Sequence, residues 1–376
     1  MSKTICRHLI LGLLCGVAAA RGAEPPVKFL GANSCASSGC HGGGGAKQNQ
    51  FLVWSLKDFH SQRPTATLTT ARSKQIGDAL DIKDPTADAR CTSCHAPLHD
   101  VPENLRGENF KVSESVSCES CHGPAENWIR SHTRHDWTRA DRTAAGMHDL
   151  QNLYVRANTC VACHQVVSQP LLKAGHPELI FELDGQSVAE PKHWSAEKNG
   201  NGAQAWLVGQ AVALRELSWQ LAQEKSPPEN EINRWAGLAW VLQTITAKNN
   251  FQTLSAGDLE TKVRLAGKIR GECDEVARDA AAAGWTDELT HKLLSALAGS
   301  AESFQDTAVS KSLHARRAER LVLALDRLLA AENNHKADAE LNQLFKLAQS
   351  VPDFDAKAFA AVLEKFSAAL TANASH

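Results

Sequence analysis

Four cysteine pairs, each followed at once by a histidine, lie between Cys35 and His164 of this 376-residue chain. They are Cys35, Cys40 and His41 in CASSGCH; Cys91, Cys94 and His95 in CTSCH; Cys118, Cys121 and His122 in CESCH; and Cys160, Cys163 and His164 in CVACH. Two thiols on one turn can reach the two vinyl groups of a haem as thioethers, and the next histidine can turn beneath the ring to ligate iron. A zinc ribbon also pairs cysteines but has no reason to set histidine directly after each pair. With 16 histidines in the chain, four such adjacencies have a chance probability on the order of 10⁻⁶. Covalent haem is therefore expected at all four. In the first pair the two extra residues would loop outward so that both sulfurs still meet the vinyls, where the narrower alternative is a disulfide in a three-haem protein. The glycine run Gly42 to Gly45 would let the backbone pass close to a flat macrocycle or turn sharply away from it.

Iron held this way needs a second axial ligand or stays open. Apart from Met1, Met147 is the only methionine, so several irons must take two histidines, which favours lower potentials than His/Met ligation. His60, His99, His132, His135, His148, His176 and His193 are the candidates. His99 follows His95 too closely to cross to the opposite face. His291, His314 and His335 fall in a later helical region and read as solvated surface residues.

The elements that must hold these residues divide the chain. Residues 1–23 pair Lys3 and Arg7 with the apolar run Leu9 to Ala20, the pattern of a cleaved secretory signal peptide, too short to span a bilayer. A periplasmic protein with no integral membrane segment is expected. Residues 24–195 hold four cofactors in too few residues for separate hydrophobic cores, so the haems themselves should form the core. Short helices would begin or end at the motifs, with irregular connections such as residues 63–90. Residues 196–202 read as a polar linker, and 203–376 as an all-α bundle. Apolar residues recur at helical spacing over 203–225, 232–245, 259–276, 287–297, 310–331, 336–350 and 355–372. Ser226 of SPPE and Ser255 of SAGD are the predicted caps, Cys273 falls on a buried stripe, and the tryptophans read as core anchors. The basic run HARRAER, residues 314–320, reads as a solvated face, with a partner-docking or homo-oligomer surface the sharper alternative. A formal charge of −2 supplies no field for nucleic acid, and the ordinary balance of 43% hydrophobic to 22% charged residues suits a soluble globular protein.

VWSLKDFHSQ with Trp54 and His60, SCESCHGPAENWIRSH with Gly123, Pro124 and His132, the order of the four motifs, and LYVRANTCVACH before the last resemble the tetrahaem cytochrome c-554 family over about residues 30–180. The resemblance implies a mainly α fold with short helices and long loops around four covalent haem c groups. It implies electron transfer between a redox donor and acceptor. Carried over by position, His132 would cap the iron on His41, His60 that on His164, and His176 that on His122. The iron on His95 would then lack a protein ligand. His135, three residues past His132, and His148, within reach of the second iron, stand as alternatives. An open iron on His95 would allow a rival function, a redox enzyme acting on nitric oxide, nitrite or hydroxylamine.

Overall fold

The computed structural model describes residues 26–194, 201–224, 226–246, 259–350 and 352–371. The predicted signal peptide, most of the linker and the SAGD cap lie outside them. The described residues form sixteen α-helices and no strand. In the first half they are α1 (Gln50–Lys57), α2 (Phe59–Leu68), α3 (Ala71–Ala79), α4 (Ala89–His95), α5 (Cys118–His122), α6 (Arg139–Ala144), α7 (Leu153–His164), α8 (Gln169–Lys173) and α9 (Leu183–Ala189). The second half holds α10 (Gly202–Gln223), α11 (Glu229–Ile245), α12 (Leu259–Ala282), α13 (Asp287–Ala298), α14 (Lys311–Glu332), α15 (Asp338–Ala348) and α16 (Ala356–Thr371).

Local capping starts the short helices of the first half. Asp58, Thr70, Asp88 and Asn152 accept backbone N–H groups at the heads of α2, α3, α4 and α7. The expected irregular connection over residues 63–90 is largely helical, because these caps open α2 and α3 there. Pro64 lies inside α2 and cannot donate to the carbonyl of His60. That carbonyl accepts from Val116 N–H instead, at 3.1 Å, which ties α2 to the loop before the third motif. The stretch around His132 is a series of turns and not a helix.

The second half follows its apolar period closely, with two differences. α11 opens at Glu229 with Pro228 in the cap position, so Ser226 is not the cap. α14 is a central helix, buried along much of its circumference from Leu313 to Leu329. Its neighbours α10, α11, α13, α15 and α16 therefore cover residues that read as surface. His314 is buried against the Phe304 ring and its Nε2 meets the Asp306 carbonyl at 3.0 Å. Arg317 and Arg320 are buried too, so HARRAER is not a solvated face.

Apolar side chains gather in two clusters. One joins α10, α11 and α12, including the buried Cys273, to Leu153, Ala157 and Val161 of α7 and to Phe181 and Leu183. The other joins the start of α10 and Trp240 to α13, α14, α15 and α16 around Phe304, Phe354 and Phe359. Trp206, Trp235 and Trp240 are core residues, whereas Trp219 is exposed. The first cluster is continuous across the point where the linker was expected. No described residue before Leu153 belongs to either cluster, as suits a segment whose interior is built around cofactors.

Candidate haem centre

Three motifs sit on helices. α4 ends on His95, α5 spans the third motif, and α7 ends on His164. Helical spacing puts the second cysteine three residues and the histidine four residues after the first cysteine, so all three share a face. The first motif follows a 3₁₀ turn over Ala32–Cys35 and has no helix of its own. Its wider spacer folds into a tight turn: Cys40 N–H and Gly42 N–H donate to the Ser37 carbonyl, and His41 N–H returns to the Cys35 carbonyl at 3.2 Å. A Cβ at Gly42 would overlap the Ala36 carbonyl, which accounts for a glycine there. All eight thiols are free, Cys35 and Cys40 among them.

Each proximal histidine faces one other ring. His41 faces His132 with ring centres 6.0 Å apart, and His60 faces His164 at 6.1 Å. His95 faces His176, and His122 faces His193, both at 6.5 Å. With metal–imidazole bonds of about 2 Å and a ring centre roughly 1 Å behind each nitrogen, two rings ligating one metal from opposite sides have centres about 6 Å apart. The four spacings therefore suit an iron held between the rings. The first pair is near parallel, at 25°, and the other three are steeply crossed, at 74° to 86°.

Two placements differ from the pairing that resemblance implied. His176 lies opposite His95 and not His122, and His193, a candidate that nothing in the sequence singled out, lies opposite His122. The cause is the path of residues 176–193, which leave α8, run against the helical half, and return through α9 to the haem half. His148 is not near His95: its N–H donates to the His122 carbonyl and its Nδ1 meets the Cys121 carbonyl at 2.9 Å. His135 is exposed. His99 meets Asp100.

Partners at Nδ1 orient six of the eight rings and leave Nε2 as the nitrogen that could bind a metal. His41 donates to Gln50 Oε1 at 2.9 Å, His95 to the Pro64 carbonyl at 2.9 Å, His132 to the Ile129 carbonyl at 2.8 Å and His176 to the Pro177 carbonyl at 2.8 Å. His60 alone donates to a close carboxylate, Asp58 Oδ1, at 3.1 Å. His193 has the Pro191 carbonyl at 3.4 Å and Glu190 Oε1 at 4.0 Å. Burial pushes His95, His132 and His164 down from the usual imidazole range and His122 to about 4, with neighbouring histidines adding to the last. Such rings are neutral at pH 7, the form that can ligate a metal. The hydrogen bond to Asp58 pulls His60 the other way.

The motifs are also packed on one another. Cys35 meets Cys118, and Cys94 meets Cys163, thiol to thiol. Cys160 lies close enough to Cys121 to add to the burial that pushes the Cys121 thiol up to about 12. Glu119, within the third motif and 2% exposed, accepts N–H bonds from Leu30, Gly31 and Ala125 at 2.7 to 2.9 Å. That buried carboxylate fastens the segment before the first motif to the third, and sequence reasoning passed it over. Its only signal was an acidic residue inside a motif that needs none.

Residues 34–123 match the family model described as cytochrome c554 and c-prime, a stretch that takes in the first three motifs and His60. No curated protein and no solved structure matches the chain. Among the described residues no helix is long and apolar enough to cross a membrane. With attachment motifs, facing rings and family match in agreement, the chain is a c-type cytochrome that binds haem c covalently, similar through residues 34–123 to the cytochrome c554 and c-prime family.

Proposed function

We infer that the chain is an exported, periplasmic tetrahaem cytochrome that carries electrons between a donor and an acceptor protein, with all four irons ligated by two histidines. The observation that carries this reading is the set of four facing ring pairs, 6.0 to 6.5 Å between centres. Bound haem supplies the ferric/ferrous couple, and no general acid, base or nucleophile is needed for the task. The protein's part is to hold each ring pair, to exclude water and to bring the attachment sites together. The thiol contacts set their order in space as first, third, fourth, second, and charge would move along that order. Asp58, Gln50 and the carbonyls at Nδ1 set how strongly each ring donates to iron, and so set potential.

His176 opposite His95, with ring centres 6.5 Å apart, favours a closed second iron and so supports the carrier reading over a redox enzyme acting on small nitrogen species. The test is a haem count with spin-state assignment on purified protein. Four haems per chain, all low-spin when ferric, are expected. One high-spin haem in four would restore the open site, and three haems would show that CASSGCH carries none. In Cys35→Ala the first haem should lose one thioether and be retained poorly.

A further inference from the structure

His176 and His193 lie outside the attachment segments, on the connection that follows the last motif. Between them the chain is gripped by the helical half. Glu178 receives Arg234 of α11 at 2.9 Å and Arg316 of α14 at 3.1 Å, and Arg234 also donates to the Leu179 carbonyl at 2.8 Å. Glu182 accepts from Gln210 of α10 at 3.0 Å and lies 3.7 Å from Arg320 of α14. Asp184 lies 3.6 Å from Arg327 of α14. Phe181 and Leu183 are fully buried in the cluster of α10, α11 and α12. Leu183 seats where α10 has a glycine: a Cβ on Gly209 would stand 2.8 Å from the Leu183 Cβ.

Arg234 and Arg320 are 3% and 4% exposed. Arginine is rarely buried to that degree unless paired, and removing one member of a buried pair leaves the other uncompensated. These arginines spend their charge on a stretch of seven residues, 178–184, whose two flanks carry the rings facing His95 and His122. Among the described residues no such set of arginines holds His60 or His132, which are set within the haem half by Asp58 and by the turn from Trp128.

We propose that the helical half is a ligand clamp: through Arg234, Arg316, Arg320, Arg327 and the Leu183 seat on Gly209 it holds His176 and His193 on the irons of the second and third haems. This rests on the ligand reading above. It gives the later half of the chain a function, closing two irons that would otherwise be free to take a small ligand.

The test uses full-length, haem-loaded protein and carbon monoxide, which binds a reduced iron only after the distal ring has left. Arg234→Met with Arg316→Met strips both cations from Glu178, and Gly209→Val pushes Leu183 off α10 without touching charge. Each should take up carbon monoxide at two of the four haems at least about tenfold faster than the parent protein, a modest loosening of ring retention. The other two haems should be unchanged. Arg270→Met, on the exposed side of α12, should leave all four unchanged. If the double arginine variant does not accumulate, Glu178→Gln, which changes no side chain of α11 or α14, carries the same expectation. Unaltered rates in the clamp variants, or equal acceleration at all four haems, overturn the proposal. His176→Ala and His193→Ala separate the two readings. If neither yields a high-spin haem, the ligand assignment itself fails; if both do while the clamp variants stay closed, only the clamp fails.

Discussion

At the scale of single residues, one ring nitrogen decides how each histidine serves. Asp58 caps α2 by accepting the N–H of His60 and also accepts a hydrogen bond from the same residue's Nδ1, so one carboxylate both starts the helix and aims the ring. A carboxylate partner makes the imidazole a stronger donor than the carbonyls or the amide that hold His95, His132, His176 and His41, and a stronger donor favours ferric iron. Asp58→Asn should raise the potential of the haem between His60 and His164 by up to about 60 mV, a tenfold change in a one-electron equilibrium. Spectroelectrochemical titration would read this as one of four waves moving, and an unmoved wave would remove Asp58 from the account. Removing the ring itself should do more. In His60→Ala and His132→Ala one ferric haem each should become high-spin, and unchanged low-spin spectra in both would refute those pairings.

At the scale of elements, α7 does two jobs, carrying the fourth motif at its end and packing its apolar side into the first cluster. Asn152 caps it by accepting from Tyr154 and Val155. Asn152→Ala should cost about 1 kcal/mol of stability, read from denaturant unfolding of the loaded protein. α7 is tied to α10 and α12 by Asp274, which accepts from Tyr154 Oη at 2.6 Å and from Arg215 at 2.6 Å, while Arg215 also reaches Asn158. Partial burial alone would raise the Asp274 carboxyl, but hydrogen bonds from Tyr154, Arg278 and Arg215 bring it down to about 2. An unfolded aspartate titrates near about 3.9, so the folded value is depressed. The stabilisation from this group is complete above that pH and is lost as pH falls towards 2. The stability difference between the parent protein and Asp274→Asn should therefore be constant from pH 5 to 7 (a range of roughly two units above the titration) and shrink between about pH 4 and 2. A difference that persisted unchanged at about pH 2 would show that Asp274 does not act through its charge.

At the scale of the molecule, the two halves are stabilised by different interiors. The helical half has apolar clusters with fully buried Trp206 and Trp235, the latter donating its indole N–H to Ser218 Oγ at 2.8 Å. Trp235→Ala should cost about 3–5 kcal/mol, seen as a fall in the unfolding midpoint, through lost transfer energy and an unfilled cavity. The haem half before Leu153 contributes nothing to those clusters. Its cohesion comes from ring pairs, thiol contacts between motifs, and buried polar ties such as Glu119 to the backbone of Leu30 and Gly31. α7 and residues 181–183 join the haem-motif segment to the interior of the helical half.

Attachment chemistry was legible from the chain alone, because thioether spacing and the proximal ligand are written in neighbouring residues. The helices of the second half were legible for a similar reason: a 3.6-residue apolar period is local, and α10, α13, α14 and α16 begin and end within a few residues of it. The irregular first half was not, since caps such as Asp58 and Thr70 outweighed the absence of an apolar stripe. Only the tertiary structure decided which histidine ring faces which. A facing ring can arrive from any point in the chain, and the stretch between His176 and His193 is met by arginines of α14, Arg316 and Arg320, that read as solvated in sequence. Arg317 and Arg320 are buried because α14 is surrounded, and being surrounded is a property of neighbours that no local pattern on a helix can state.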